Sequence, residues 1–119
     1  MNQTAAYKVQ SISTMPRGRL VVLLYEGAIN ALTQAILEME AGHIQEKAQR
    51  ISKATDIIEE LRLSLNVDKG GEVASNLLKL YDFMILHLTR AHLQNDPKMI
   101  REVITMLRDL NEAWKTITT

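Results

Sequence analysis

The stretch LVVLLYEGAINALTQAIL, from Leu20 to Leu37, is apolar at most of its positions. At 100° per residue it forms two adjoining apolar stripes, which together cover about 200° of a helix surface. An ordinary surface helix carries one stripe of about 100°. A helix this apolar needs neighbours on more than one side. We therefore expect it to lie among several other helices.

Proline and glycine divide the chain into four helical segments. Pro16 suits a first helical turn, because its φ angle is fixed and its missing N–H costs nothing there. Gly42 can adopt the left-handed conformation that ends a helix. The run from Asp68 to Gly71 predicts a second break, and Asp96 before Pro97 predicts the cap of a last helix. Helices are thus predicted near residues 16–41, 44–66, 71–95 and 97–117.

The predicted helices are long and their connections are short. Such connections place neighbouring helices antiparallel to each other. A chain of 119 residues has the size of one domain. The sequence therefore predicts an all-α fold, an antiparallel up-down-up-down four-helix bundle, over residues 1–119. Residues 1–13 remain as an N-terminal arm or short helix.

Composition narrows the classes of partner and the cellular location. Fourteen Lys and Arg balance fourteen Asp and Glu. The chain therefore has no net positive charge that would favour binding to nucleic acid. The chain has no cysteine, which is typical of a reducing compartment. The opening MNQTAAYKVQ lacks the features of a signal peptide, and the apolar run Leu20–Tyr25 is too short to span a bilayer. We expect a cytoplasmic protein without membrane insertion.

The histidines do not form a recognisable metal or catalytic site. His87 and His92 lie about 140° apart on a helix, so they cannot share one metal ion from that helix alone. A carboxylate-bridged di-metal bundle needs Glu-x-x-His on each of two helices. Here only Glu40 and His43 have that spacing, and Gly42 interrupts it. We expect no metal, no cofactor and no enzymatic activity.

Some large apolar residues lie outside the predicted apolar arcs. A helix in a bundle contacts two neighbours, so most positions in a broad arc are expected to be core. Leu23, Phe83 and Leu86 fall on otherwise polar faces, and together they indicate a surface for a partner. Tyr25 and Tyr81 lie inside the arcs. Each ring either packs in the core with its hydroxyl hydrogen-bonded near the surface, or lines a groove.

Seven short phrases, in order along nearly the whole chain, resemble the FliS family of flagellin export chaperones. The sequence departs from the family pattern at Glu26, where Asp or Asn is expected, and at His92, where Asn is usual. The spacing across Arg17–Arg19 is one residue longer than usual. The phrases are Ala6-Tyr7, Thr14 to Pro16, LLYEGA at 23–28, KATDIIEEL at 53–61, GGEVASNLLKLYDFM at 70–84, RAHLQND at 90–96 and EAWK at 112–115.

The resemblance implies a cytosolic helical bundle that binds the disordered C-terminal segment of flagellin. Such a chaperone prevents premature polymerisation and assists delivery of flagellin to the flagellar type III export apparatus. The N-terminal arm is expected to occupy part of the same apolar surface when the client is absent. The residues expected to contact the client are Tyr7, Ile12, Leu20, Leu23, Tyr25, Ile29, Leu77, Leu80, Tyr81, Met84 and Leu88.

Two alternatives remain open on the sequence. The outer apolar residues could serve a helical adaptor that forms a homodimer and has no role in export. A histidine phosphotransfer bundle is the enzyme-class alternative, although the usual His-x-x-Lys-Gly neighbourhood is missing around all three histidines.

Overall fold

The structure is a computed structural model that describes residues 17–118, and every secondary-structure element in that range is a helix. α1 and α3 each pack against both α2 and α4, so they lie diagonally opposite in the bundle. This confirms the predicted all-α bundle. Tyr7, Ile12 and the rest of the predicted arm lie outside the described residues. The helices are α1 (Arg17–Glu40), α2 (Ile44–Leu63), α3 (Val67–Gln94) and α4 (Pro97–Thr118).

The packing of α1 explains its broad apolar surface. Ala28, Leu32 and Ala35 are completely buried, and α1 lies against α2 on one side and α4 on the other. By length and composition alone, Gly18–Glu40 would also suit a membrane span. The core helix of a bundle has the same composition, because two of its sides are covered by protein.

The helix ends at two connections agree with the sequence prediction. Gly42 has a φ of 78°, the left-handed conformation expected after α1. Asp96 caps α4 by accepting a hydrogen bond from the Lys98 N–H at 2.9 Å. Asn95 ends α3 in the left-handed region, with φ 55° and ψ 47°. Both connections thus use the local backbone chemistry that the sequence indicated.

The start of α3 differs from the prediction. The helical element begins at Val67 and not at residue 71, because the side chain of Asn66 accepts a hydrogen bond from the Lys69 N–H at 3.1 Å and caps a first turn. Gly71 then interrupts the helical geometry with φ 57° and ψ −133°. A Cβ on Gly70 would lie only 2.5 Å from the Cβ of Ala74. The two glycines therefore form a kink inside α3.

Lys47 of α2 stabilises the C-terminal end of α3. Its side chain is buried, and its Nζ donates to the His92 carbonyl oxygen at 3.3 Å and to Asn95 Oδ1 at 3.0 Å. Helix C-termini leave carbonyl groups without partners and favour a positive charge. This contact joins α2 to α3 at one end of the bundle.

We expect Lys47→Met to lower the free energy of unfolding by about 1–3 kcal/mol, because acceptors at the end of α3 lose a buried donor. Urea denaturation followed by circular dichroism measures the effect. Lys53→Met, at an exposed position of the same helix, is the matched control and should cost much less. Equal losses in the two variants would show that the Lys47 contacts do not contribute to stability.

Candidate partner-binding site

A cavity of about 490 Å³ opens at the end of the bundle where α1 and α3 begin and α2 and α4 end. We call it the end cavity. Ser64, Asn66 and Lys69 bring polar groups to it. An apolar pocket with a few polar groups is the usual form of a binding site. Its large apolar side chains, besides Tyr81, are Val21, Leu61, Leu65, Val73, Leu77 and Trp114.

α3 supplies one wall of the end cavity through a single helix face. Val73, Leu77 and Tyr81 are four residues apart and therefore share that face. Val73 is 71% exposed, Leu77 is partly buried and Tyr81 is only 2% exposed, so exposure falls along the wall from the opening inward. The wall begins just after the kink at Gly71, which sets the direction of this part of the helix.

Tyr25 and Tyr81 meet through their hydroxyl groups in the core. This hydrogen bond joins α1 to α3 across the diagonal of the bundle, and the Trp114 side chain also hydrogen-bonds to Tyr25. The expected core packing of the rings is correct, but each hydroxyl finds its partner inside the protein and not near the surface. Because it also lines the end cavity, Tyr81 connects the cavity wall to the core.

Burial changes the acidity of both tyrosines. Desolvation raises the pKa of Tyr25, while the hydrogen bonds from Tyr81 and Trp114 act in the opposite direction. Desolvation also raises the pKa of Tyr81, and there the hydrogen bond and the charge of Tyr25 add to the effect. Both phenols therefore stay neutral in the folded protein above the pH at which an exposed tyrosine ionises.

We expect stability to fall at alkaline pH through these two residues. A raised pKa in the folded state gives a contribution that is fully present below the unfolded value of 10.0 and is lost as the pH rises above it. The loss is at most about 1.4 kcal/mol per pH unit per tyrosine. Urea unfolding between pH 8 and about pH 11 measures it. The Tyr25→Phe, Tyr81→Phe double variant should lose less stability over this range, and identical slopes would contradict the assignment.

Three of the predicted client-contacting residues belong to the core. Tyr25, Met84 and Leu88 are 0% exposed in the described conformation. A partner that docks on this surface cannot touch them, so we exclude them from the site. Their periodic positions on α1 and α3 are those of inward-facing residues, and a wide apolar arc hides the difference between core and groove.

The other predicted residues fall into three groups. Leu77 and Tyr81 line the end cavity. Ile29 lines a different cavity, between α1 and α4. Leu20 and Leu80 are partly buried, and Leu23 is 38% exposed on α1.

Several residues of the end cavity were not predicted from the sequence. Leu61 and Leu65 come from the end of α2 and the connection after it, and Trp114 comes from the last turns of α4. These residues are far apart in the sequence and meet only because four helix ends converge. No local pattern signals this. The predicted antiparallel arrangement was the available indication, because it brings the ends of α2 and α4 beside the starts of α1 and α3.

Among residues 17–118, one group of side chains could hold a metal ion. Potential ligand atoms of Glu38, His43 and Glu46 all lie within 4.8 Å of one another at the connection between α1 and α2. His43 Nδ1 is 3.5 Å from Glu38, and the side chains of His43 and Glu46 are exposed. Glu40, which has the Glu-x-x-His spacing to His43, instead forms an ion pair with Arg101 of α4. The Glu40 Oε2 and Arg101 Nη2 atoms are 3.4 Å apart. Exposed groups of this kind are common on protein surfaces without a metal.

Comparison with known proteins identifies the family. The family model described as flagellar protein FliS matches residues 1–119. Flagellar secretion chaperone FliS of Vibrio cholerae is 40% identical over 116 residues, which are 94% of this chain and 85% of that protein. The Salmonella typhimurium protein of that name is 44% identical over 100 residues, which are 83% of this chain and 74% of that protein. The Bacillus subtilis protein of that name is 32% identical over 114 residues, which are 96% of this chain and 84% of that protein.

A solved structure supports the fold. The crystal structure of a bacterial flagellar chaperone superposes with a TM-score of 0.80 and covers 98% of this chain and 97% of its own. Its sequence identity is 21%, so it shows that the two chains share a fold. Taken with the family match over the whole sequence and the relatives named above, this bundle belongs to the FliS family, whose named relatives here are flagellar secretion chaperones.

Proposed function

We propose that the chain is a cytoplasmic export chaperone for flagellin. It binds the disordered C-terminal segment of flagellin, prevents premature polymerisation, and assists delivery to the flagellar type III export apparatus. The relatives' names support a role in flagellar secretion. The bound segment is the one that the family resemblance implies, and the apolar surface of the bundle suits it.

The open end cavity is the observation that carries this proposal. It lies at one end of the bundle and is lined mainly by apolar side chains, with Val73 at its opening and Leu61 and Tyr81 nearly buried. Open apolar surface of this kind is costly in water, and a partner that covers it gains about 25 cal/mol per Å² of apolar area. An apolar side chain of the client fits the chemistry of this cavity.

Further exposed apolar residues allow the client to extend beyond the cavity. Leu63 and Val67 are 71% and 43% exposed and flank the connection between α2 and α3, next to the cavity. Leu23 is exposed on α1. A disordered segment can follow such dispersed sites, because it folds as it binds and spends part of the contact energy on becoming ordered.

Binding requires only burial of apolar surface and no covalent chemistry. The side chains of the end cavity are mainly hydrocarbon, and the tyrosine hydroxyls are occupied by each other and by Trp114. A contact made largely of apolar burial protects the client and remains reversible, which an export chaperone needs when it hands over its cargo.

The test compares full-length flagellin with flagellin that lacks its C-terminal segment. We expect the chaperone to form a one-to-one complex with the first and none with the second, as measured by size-exclusion chromatography with light scattering. Equal behaviour toward both proteins would rule out recognition of the C-terminal segment. The same measurement on the chaperone alone reports its mass, so the dimerising adaptor gives a different result: a stable dimer that ignores flagellin.

A further inference from the structure

Among the described residues that line the end cavity, Lys69 is the one with a charged side chain. Ser64 and Asn66, the other polar residues near its opening, are neutral. The two cavities between α1 and α4, of about 390 Å³ and 440 Å³, are each lined by acidic and basic side chains together. The end cavity therefore differs from them, because it combines apolar walls with a positive charge that no lining carboxylate balances.

The kink at Gly71 separates Lys69 from the nearest acidic residue that follows it on α3. In a regular helix Lys69 and Glu72, three residues apart, would be neighbours and could form an ion pair. Gly71 lies between them with φ 57° and ψ −133°, which is far from helical geometry. Within residues 17–118, no ion pair involves Lys69, and Glu72 does not line the end cavity. The ammonium group of Lys69 is therefore free to meet a partner.

The N-terminal arm brings no acidic side chain to Lys69. Residues 1–16 contain no Asp and no Glu, and Glu26 is the first acidic residue in the sequence. The arm is expected to occupy part of the apolar surface when the client is absent. Whichever part it covers, its side chains cannot neutralise the charge of Lys69. A balancing carboxylate is therefore left for the client to supply.

A lysine at an apolar cavity suits a client that carries a carboxylate next to an apolar side chain. Lys69 is exposed, so an incoming segment can reach it. When the client covers the cavity, water is removed from around the ammonium group, and an ion pair strengthens as the local dielectric constant falls. A client without a carboxylate at this point leaves the charge covered and unpaired, which lowers its affinity. Charge at such a rim thus selects between partners that are equally apolar.

We propose that Lys69 pairs with a carboxylate of the flagellin segment, next to the apolar side chain that the end cavity holds. This inference rests on the proposed function and adds recognition of charge to it. Apolar burial supplies most of the affinity, and the ion pair fixes which apolar side chain of the client enters the cavity. The carboxylate belongs either to an Asp or Glu side chain or to the C-terminal residue of the client.

The first experiment compares Lys69→Gln with Lys79→Gln by isothermal titration calorimetry with a synthetic flagellin C-terminal peptide. Lys79 is exposed on the same helix and does not line the end cavity, so both variants lose the same charge. We expect Lys69→Gln to weaken binding about fivefold and Lys79→Gln by less than about twofold. The difference should shrink in high salt, which screens an ion pair. Equal affinities of the two variants in low salt would overturn the proposal.

A second experiment changes the carboxylates of the peptide one at a time. Each Asp or Glu is replaced by Asn or Gln, and a further peptide ends in a C-terminal amide. One of these peptides should bind the wild type about fivefold more weakly and bind Lys69→Gln almost as well as the unchanged peptide does. Its identity shows whether the carboxylate belongs to a side chain or to the C-terminus. If every peptide loses the same factor with both proteins, Lys69 pairs with no carboxylate and the proposal is wrong. Absence of any binding between the wild type and the unchanged peptide would instead refute the proposed function itself.

Discussion

Val73→Asp is expected to weaken binding of the flagellin segment by about 100-fold, since an unpaired carboxylate must be covered by an apolar client. Val73 stands at the opening of the end cavity and is 71% exposed. In the free chaperone the new carboxylate would be solvated, so the fold should tolerate it. Isothermal titration calorimetry with the flagellin peptide measures the loss, and circular dichroism verifies that the helices are intact.

Leu93→Asp is the matched control for this prediction. Leu93 lies on the same helix and is 77% exposed, but it is not among the residues that line the end cavity. The same chemical change at similar exposure should leave the affinity within about twofold of wild type, since surface substitutions away from a site have small effects. A large loss at Leu93 with none at Val73 would move the binding site to the other end of α3.

Leu32→Ala is expected to have the largest effect on the fold, a loss of about 2–5 kcal/mol in the free energy of unfolding. Leu32 is 0% exposed and lies in the core between α1 and its neighbours. Removing its side chain loses apolar burial and leaves a cavity that the bundle fills only in part. Because a domain of this size has a total stability of only about 5–15 kcal/mol, urea denaturation will show the shift clearly.

Leu37→Ala provides the comparison within α1. Leu37 belongs to the same apolar stretch as Leu32 but is 62% exposed. Both substitutions change the intrinsic helix propensity equally, so the difference between them reports burial alone. We expect Leu37→Ala to change stability by less than about 1 kcal/mol. Similar losses in the two variants would show that Leu37 is covered in solution by a partner or a second copy.

The helices were predictable because their ends depend on local chemistry. Gly42 and Asp96 act over one or two residues of backbone, and the structure uses both as expected. The predicted start of α3 was wrong. Two adjacent glycines suggest a connection, but Asn66 caps a helical turn before them. The prediction placed residue 66 at the end of α2 and did not recognise it as the cap of α3.

The candidate site was harder to predict because it depends on which side chains meet across helices. The apolar arc of α3 contains both Leu77, in the end cavity, and Leu88, in the core, and nothing in the sequence separates them. Trp114 and Leu61 reach the cavity from the ends of two other helices.

The most direct test of the account uses Trp114, the one tryptophan of the chain, which lies in the lining of the end cavity. A flagellin C-terminal peptide without tryptophan is titrated into the chaperone while the Trp114 emission is recorded. The account predicts a shift of the emission to shorter wavelength that saturates with the affinity found by calorimetry, because the client excludes water from the cavity. Binding detected by calorimetry with an unchanged Trp114 emission would contradict it.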